Sequence, residues 1–512
     1  MTRRAGAQTC EAASHCYVYM PPIGGALSSA SYQNAAPLGF ASLHDEEEEG
    51  EGTQLSAEAA HRLRLVRAAT YVQRAVRIHN MIFGHFARVI FARKNGRSSD
   101  HGVLQFPAHG TEAQFLTIAD TTPASLIVPF LIKVWKLPPP EIIISVTGGA
   151  QALTLDALLQ EEFNKGLVSA ATAAHAWVIT GGTDTGVMHL VGKAMHDAGV
   201  DGKVPLLGIS AHGAVNNRDK FDSLKFGRAV YQDPRKPSVD GAPISPHHSH
   251  FLFIDSGREQ REAWGSEIVV RAEIEQHMMK SRAVPMVLLV VQGGPGTLAT
   301  VLANAKLGCP VVLLSNSGGA ASAVSRFVQD GGLDEALDAP FMKPTPLEQL
   351  EQIRSLHEAS GDKLLSFFNV GAESMATSML QAIVANLTGS PLKAPMSPPR
   401  PFGDGNYSFS RPSAGDGNAP DLISRRSSLG EEGHDSFAKA LLLAVRWDRP
   451  EIAKPILAQI EARGLGFAKG TMKRALQAAI SLERLELLRL FMASPGFEAF
   501  GLPGIALAQL YS

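Results

Sequence analysis

Cysteines are few in this sequence, and long apolar runs are missing. Among 512 residues there are three cysteines, Cys10, Cys16 and Cys309, which are too few for a disulfide framework and favour a reducing compartment. No run reaches the roughly 18 to 20 apolar residues that a transmembrane helix needs, and no apolar signal core follows Met1. We therefore expect a cytoplasmic protein with no membrane-spanning segment in this sequence.

An excess of charge of one sign is also missing. The formal net charge is −2, which provides no general attraction for nucleic acid, so we expect no nucleic-acid partner. Charge is segregated locally, because residues 45–51 are acidic and residues 62–97 are rich in arginine. The length is sufficient for more than one domain.

Composition and periodicity divide the chain into five segments. Residues 1–55 mix Gly, Ser, Pro and acidic residues without periodicity and predict disorder, whereas residues 56–97 have the apolar spacing of one basic amphipathic helix. Residues 100–388 alternate strand-like runs with helical stretches, which predicts an α/β fold with a doubly wound, mostly parallel sheet. Residues 389–433 predict a disordered linker rich in Pro, Gly, Ser and Asp. Residues 434–512 predict a small all-α domain of short helical repeats, ankyrin-like in length.

Three turns with paired glycines stand out in the α/β region. Each follows an apolar run and opens into a helical stretch: Thr147-Gly148-Gly149-Ala150-Gln151, Thr180-Gly181-Gly182-Thr183-Asp184-Thr185-Gly186, and Gly293-Gly294-Pro295-Gly296-Thr297. Glycine lets the backbone approach a ligand, and free N–H groups at a helix start attract anions. The turns therefore predict a phosphate-binding site at the carboxyl ends of the strands. The alternative is that the glycines are needed only for tight packing of the turns.

Several segments between residues 104 and 314 form a recognisable series: Val134–Pro138 with Ile143–Ala150, Trp177–Val187, Leu207–Ser210 and His248–Gly257. In their order and spacing they resemble the N-terminal cytosolic region of the melastatin-type TRP cation channels (TRPM). The first homology regions of these channels form a SLOG-type (LSDAT) nucleotide-binding domain. The resemblance therefore implies a SLOG/Rossmann-like fold for residues 100–388.

The helical tail also resembles the next homology region of these channels, through Leu441–Ala444 and Leu507–Tyr511. The resemblance allows two interpretations: a cytosolic ligand-sensing module, or a fragment of a calcium-permeable cation channel without its transmembrane part. In the second case the chain would lie at the cytosolic face of a membrane and form a homo-oligomer, a tetramer in a complete channel.

The resemblance also implies a binding site for an adenine nucleotide such as ADP-ribose. In channels that bind ADP-ribose in this domain, the ligand lies over the glycine turns and is held by an aromatic residue and an arginine of one helix. Trp264 and Arg271 match these positions, two helical turns apart. In the alternative interpretation, Arg271 pairs with Glu267 or Glu275 on a solvated helical face.

The residues expected to bind the ligand come from the three turns, from the end of one strand and from this helix. They are Thr147, Gly148, Gly149, Gln151, Gly181, Gly182, Thr183, Thr185, Gly186, Asp255, Trp264, Glu267, Arg271, Gly293, Gly294, Pro295, Gly296 and Thr297. Asp255 closes its strand at the ligand edge, where it either accepts a hydrogen bond from a ribose hydroxyl or caps the next helix.

A soluble enzyme is the remaining alternative. SLOG relatives among the lonely-guy phosphoribohydrolases use a Pro-Gly-Gly-x-Gly-Thr-x-x-Glu motif, and the glutamate position holds Thr300 here. Without that carboxylate the turn lacks a general acid or base, so we expect binding without cleavage and no catalytic residue. The adjacent histidines His247, His248 and His250 lack a spaced partner pair, so we expect no metal site and no cofactor.

The basic helix suggests a protein partner. Residues 72–77 resemble the opening of an IQ motif, which predicts a calmodulin-like partner over residues 72–90. The alternative is a helix whose apolar stripe docks on the body of the protein.

Overall fold

The structure is a computed structural model, and nine segments of the chain are described. These are residues 100–150, 153, 155–222, 227–233, 238–361, 363–371, 373–388, 436–462 and 469–494. They all belong to one compact unit, Arg74–Ser512. The predictions for residues 1–55, 56–97 and 389–433, and for Gln151, lie outside the described residues.

Strands and helices alternate through the α/β region as far as Thr388, and helices follow. The strands are β1 (His101–Phe106), β2 (Thr111–Ala119), β3 (Ile143–Gly148), β4 (Trp177–Thr180), β5 (Leu206–Ala211), β6 (Gly227–Val230), β7 (His250–Asp255), β8 (Met286–Val291), β9 (Val311–Leu314) and β10 (Leu365–Phe368). The helices are α1 (Ala124–Lys133), α2 (Ala157–Ala173), α3 (Gly186–Asp197), α4 (Ile268–Arg282), α5 (Pro295–Lys306), α6 (Gly319–Gln329), α7 (Pro344–Ala359), α8 (Met375–Thr388), α9 (436–446), α10 (Pro450–Ala462), α11 (Lys469–Ser481) and α12 (Leu485–Ala493).

The strands form one sheet in the order β10-β9-β8-β3-β4-β5-β7-β2-β1-β6. All neighbouring pairs are parallel except β1 and β2, which are antiparallel. The prediction of a mostly parallel sheet in an α/β fold is confirmed. The antiparallel pair was not predicted, because the polar residues of β1 and β2 give these strands no continuous apolar run.

The central strands are buried on both faces, which is why their sequences are continuous apolar runs. Neighbouring residues of β3 point to opposite faces: Ile144 joins a hydrophobic cluster with α2, α3 and α8, and Ile143 joins a second cluster with α1 and α4 to α7. Helices therefore cover both faces of the sheet, as a doubly wound fold requires.

The C-terminal helices pack on the first of these faces. Phe437, Trp447 and Phe491 are buried in the same hydrophobic cluster as Ile144. At the border Arg446 Nη2 donates to Glu141 Oε1 at 2.5 Å. The helices occur where the sequence predicts them, whereas their ankyrin-like character stays a prediction. Among the described helices, none combines the length and the apolarity of a membrane span.

Candidate functional site

The chain reverses its direction across the sheet between β3 and β8. From β3 it continues to β4 on one side, and from β8 it continues to β9 on the other, although β3 and β8 are paired from Ile143 opposite Met286 to Gly148 opposite Val291. Ligands of open α/β sheets bind outside the carboxyl ends of strands at such a reversal. Two of the three glycine turns follow these two strands.

A cavity of about 640 Å³ lies at this edge of the sheet. Twelve of the eighteen residues predicted to bind a ligand line it: Thr147, Gly148, Gly181, Thr183, Thr185, Trp264, Glu267, Arg271, Gly294, Pro295, Gly296 and Thr297. Five described ones do not line it: Gly149, Gly182, Gly186, Asp255 and Gly293. The structure thus brings residues of all three turns together around one cavity.

Two pairs of glycines in the turns differ in their surroundings. A Cβ atom at Gly294 or Gly296 would meet no atom within 4 Å, so these residues face open space. Gly186 and Gly293 have positive φ angles of 50° and 98°, and a Cβ there would lie 1.8 Å from Gly149 O and 2.3 Å from Thr297 Oγ1. The alternative that glycine serves close packing therefore holds for Gly186 and Gly293, and not for Gly294 and Gly296.

The start of α5 offers free N–H groups to the cavity. Its N-cap is Gly294, which has no capping side chain, and Pro295 opens the helix. The backbone N–H groups of Gly296 and Thr297 donate no hydrogen bond to any of the described residues. Thr297 Oγ1 donates to Gly148 O at 3.2 Å, which ties this turn to the turn after β3. The cavity wall is therefore electropositive at the start of α5.

Arg271 forms hydrogen bonds with β3 and β4 near their carboxyl ends. Its Nε donates to Glu275 Oε1 at 3.0 Å, and its Nη2 lies 2.6 Å from Ser145 Oγ, 3.0 Å from Val146 O and 3.2 Å from Ile179 O. Ser145 Oγ in turn donates to Glu275 Oε1 at 2.5 Å. The remaining guanidinium nitrogen, Nη1, makes no hydrogen bond with the described residues, and Arg271 lines the cavity.

The interpretation of Arg271 as part of a solvated ion pair is wrong. Arg271 does pair with Glu275, but their side chains are only 8% and 0% exposed. The pair is buried because α4 packs its apolar face on the sheet, so that Val270 and Ile274 lie in the same layer. Arg271 is therefore a structural residue of the strand ends as well as part of the cavity wall.

The prediction that Trp264 and Arg271 lie on one helix is wrong. Trp264 follows a 3₁₀ turn, Gln260–Ala263, and α4 begins at Ile268. Gly265 lies between them with φ +85°, a conformation that interrupts a helix. Both side chains nevertheless line the cavity, and Trp264 is 38% exposed with its Nε1 donating to Val239 O at 3.0 Å.

Glu267 is the acidic residue of the cavity wall. Its Oε2 is buried without a hydrogen-bond partner. Burial raises the pKa of this carboxyl, while the backbone N–H groups of Glu267 and Gly265 and the charge of Arg271 act in the opposite direction. The basic residues of the wall are Arg261 and Arg271, and the latter is already paired with Glu275.

Asp255 and Thr300 have local roles. Asp255 Oδ1 accepts from Gly257 N at 2.9 Å, so the side chain caps the turn after β7 rather than lining the cavity. Thr300 lines the cavity at the position where a phosphoribohydrolase has its glutamate, and its hydroxyl donates to Gly296 O at 3.2 Å. In the described part of the chain, no group of three or more His, Cys, Asp or Glu residues is arranged to hold a metal ion.

Part of the cavity wall was not predicted from the sequence. Ser210 and Ala211 end β5, and their position after an apolar run was a signal that could have indicated them. Ser238, Val239 and Ala242 come from the loop before β7. No periodicity marks that loop, so only the tertiary structure shows that it reaches the cavity.

Comparison with known proteins connects this architecture to one group of channels. The family model described as SLOG in TRPM matches residues 113–365. Transient receptor potential cation channel subfamily M member-like 2 of Nematostella vectensis is 39% identical over 242 residues, which is 44% of this chain and 16% of the relative. Subfamily M member 2 of Mus musculus is 32% identical over 42% of this chain and 15% of its own length.

A longer match extends beyond the α/β region. The cation channel trpm of Drosophila melanogaster is 26% identical over 413 residues, which is 77% of this chain and 18% of the relative. The chain thus covers less than a fifth of each of these three relatives. The resemblance to the N-terminal region of this group is confirmed.

Proposed function

Because residues 113–365 match the family model described as SLOG in TRPM, we propose that the cavity binds an adenine nucleotide such as ADP-ribose and does not cleave it. The chain would then act as a ligand-sensing module. The observation that supports this most strongly is that three glycine turns, the start of α5 and an exposed tryptophan line one cavity at the reversal point of the sheet. Its volume of about 640 Å³ lies within the usual range of small-molecule sites.

The charges of the wall suggest how such a ligand would lie. The phosphates would face the N–H groups of Gly296 and Thr297, where the helix dipole favours an anion. Arg271 could add one charged donor through Nη1. Glu267 would repel a phosphate and accept a hydrogen bond from a ribose hydroxyl, so the sugar belongs on its side. The adenine would stack on Trp264.

Binding without cleavage is supported by Thr300. A threonine hydroxyl cannot supply the proton that a departing base needs, whereas the glutamate of the phosphoribohydrolase motif can. The relatives reported above are named as cation channels, not as hydrolases. Glu267 is the one carboxylate of the described cavity wall and is the residue to test if cleavage is found.

The second candidate function follows from the named relatives. We propose that in a longer protein this module would regulate a cation channel, permeable to calcium, from the cytoplasmic side, as part of a homotetramer. The observation in its favour is that the match to the Drosophila channel covers 77% of this chain, which is more than the α/β region alone. Sequencing a full-length transcript for apolar segments of about 20 residues beyond Ser512 would test it.

A ligand-dependent change in stability tests the first proposal. The melting temperature of the full chain should rise with ADP-ribose, because a ligand at about 100 times its dissociation constant adds about 2.7 kcal/mol. Chromatography after long incubation with AMP, CMP and ADP-ribose should show no free base. Release of base that is lost in Glu267→Gln would instead support the enzyme.

A further inference from the structure

One side of the cavity is formed by the loop that leads into β7, residues 238–248, which we call the clasp. Ser238, Val239 and Ala242 line the cavity. A hydrogen bond joins the clasp to the second glycine turn, because Ser245 N donates to Gly182 O at 2.9 Å. Loss of the clasp would therefore open the cavity wall and free the turn after β4 together.

The end of the clasp carries two histidines that no other function explains. The ring of His247 stacks on the ring of His196 from α3, with centroids 4.4 Å apart and planes at 26°, and meets His109 edge-on at 5.4 Å. His247 Nδ1 is buried without a hydrogen-bond partner. A proton on this ring would thus bring a positive charge against two other imidazoles.

His248 attaches the clasp to the sheet. The side chain is 1% exposed, and its Nε2 lies 2.7 Å from Thr180 Oγ1. The same hydroxyl oxygen accepts from Gly182 N at 2.9 Å, so its own proton is available for Nε2. His248 Nδ1 is buried without a partner. Charging this ring would leave an unpaired cation in the interior, which is strongly unfavourable.

The charged groups around the pair do not cancel this effect. Burial lowers the pKa of His248 to about 3, and burial together with His196 and His109 lowers the pKa of His247. Asp184 favours the charged form of both rings, and Asp201 favours that of His247. Asp201 forms a hydrogen bond with His196 at 2.6 Å, and Asp184 forms one with His189 at 2.7 Å. Each carboxylate is therefore already paired with a histidine other than His247 and His248. Asp197 also lies within reach of His247 and is bonded to Lys193 at 2.8 Å.

We propose that residues 238–248 form an acid-sensitive clasp, which holds one side of the cavity closed at neutral pH and opens in mild acid as His247 and His248 take up protons. The pKa of each histidine is lower in the closed clasp than in the open clasp, where it is about 6.5. The closed clasp is therefore most stable above about pH 6.5 and loses stability as the pH falls below this value. The effect on a ligand rests on the proposed function. The opening itself does not depend on it.

Hydrogen exchange of the ligand-free full chain tests the clasp separately from nucleotide binding. After correction for intrinsic rates, exchange of backbone amides in residues 238–248 should be about tenfold faster or more at pH 5.5 than at pH 7.5. A single histidine that is protonated only in the open clasp contributes a factor of about ten over this range. Amides of β8 should show no such rise. An equal rise in both segments, or none in the clasp, would overturn the proposal.

Two variants identify the groups that respond. His247→Gln cannot titrate and should reduce the acid-induced rise in the clasp, and His196→Gln, which removes the stacked neighbour, should reduce it as well. His277→Gln is the matched control, because His277 lies on α4 and contacts Ser281. An unchanged rise in both His247→Gln and His196→Gln would contradict the assignment to His247.

Discussion

Arg271 and Glu275 form a buried ion pair, with Nε and Oε1 3.0 Å apart, directly beneath the ends of β3 and β4. The pair is part of a network that also includes Ser145 and two strand-end carbonyl groups. The positions of the first two glycine turns therefore depend on Arg271. Any loss of ligand binding in an Arg271 variant would combine a lost contact with a displaced cavity wall.

Arg271→Ala should lower the free energy of unfolding by about 3 to 5 kcal/mol, because it leaves the carboxylate of Glu275 buried without its cation. Chemical denaturation measures this directly. Arg261→Ala is the control, since Arg261 lines the same cavity and is exposed, and it should cost less than about 0.5 kcal/mol. Similar costs for the two variants would show that the buried network is not formed.

Glu267→Gln should stabilise the ligand-free protein at neutral pH by about 1 kcal/mol, because the ionised carboxylate has a buried oxygen without a partner. The pKa of Glu267 is raised in the folded state, so its contribution is most favourable below the unfolded value and is lost as the pH rises through the folded value. The gain should thus be larger at pH 7.5 than at pH 4. Thermal melts of Glu267→Gln and of the exposed control Glu262→Gln at both pH values measure it; a gain independent of pH would refute this account.

Gly293→Ala and Gly294→Ala should behave differently although the positions are adjacent. A Cβ at Gly293 would collide with Thr297 at a positive φ, so this variant should lose about 2 kcal/mol or more of stability. A Cβ at Gly294 meets open space, so that variant should lose no more than about 1 kcal/mol, as expected for an N-cap position. Only Gly294→Ala should weaken nucleotide binding while leaving the melting temperature nearly unchanged. If both variants were equally stable, the packing argument would fail.

The strand runs and the glycine turns were predictable because each depends on local sequence. Buried parallel strands such as β8 are continuous apolar runs, and the turns follow them directly. The burial of Arg271 was not predictable, since a charged residue at helical spacing from Glu275 fits a solvated face equally well. The contribution of Val239 and Ala242 to the cavity wall depends on a long-range path of the chain that no local pattern indicates.

A peptide of residues 60–97 should bind calmodulin, because residues 72–77 resemble the opening of an IQ motif in a basic helix-like sequence. These residues lie outside the described part of the chain, so the prediction depends on sequence alone. A shift on native gels measures binding, and a peptide in which Arg74 and Arg77 are replaced by alanine is the control. Binding to anionic vesicles without any calmodulin shift would assign the segment to membranes instead.

Calorimetric titration of the full chain with ADP-ribose at pH 7.5 tests the central proposal most directly, and Trp264 is the residue to vary. Its ring is partly exposed at the cavity and makes one hydrogen bond to Val239 O, so its removal should leave the fold intact. We expect the wild type to bind ADP-ribose, Trp264→Phe to bind it similarly, and Trp264→Ala to bind it about tenfold more weakly, because base stacking is lost. Absence of binding by the wild type, or equal affinity in Trp264→Ala, would contradict the proposal that this cavity binds a nucleotide.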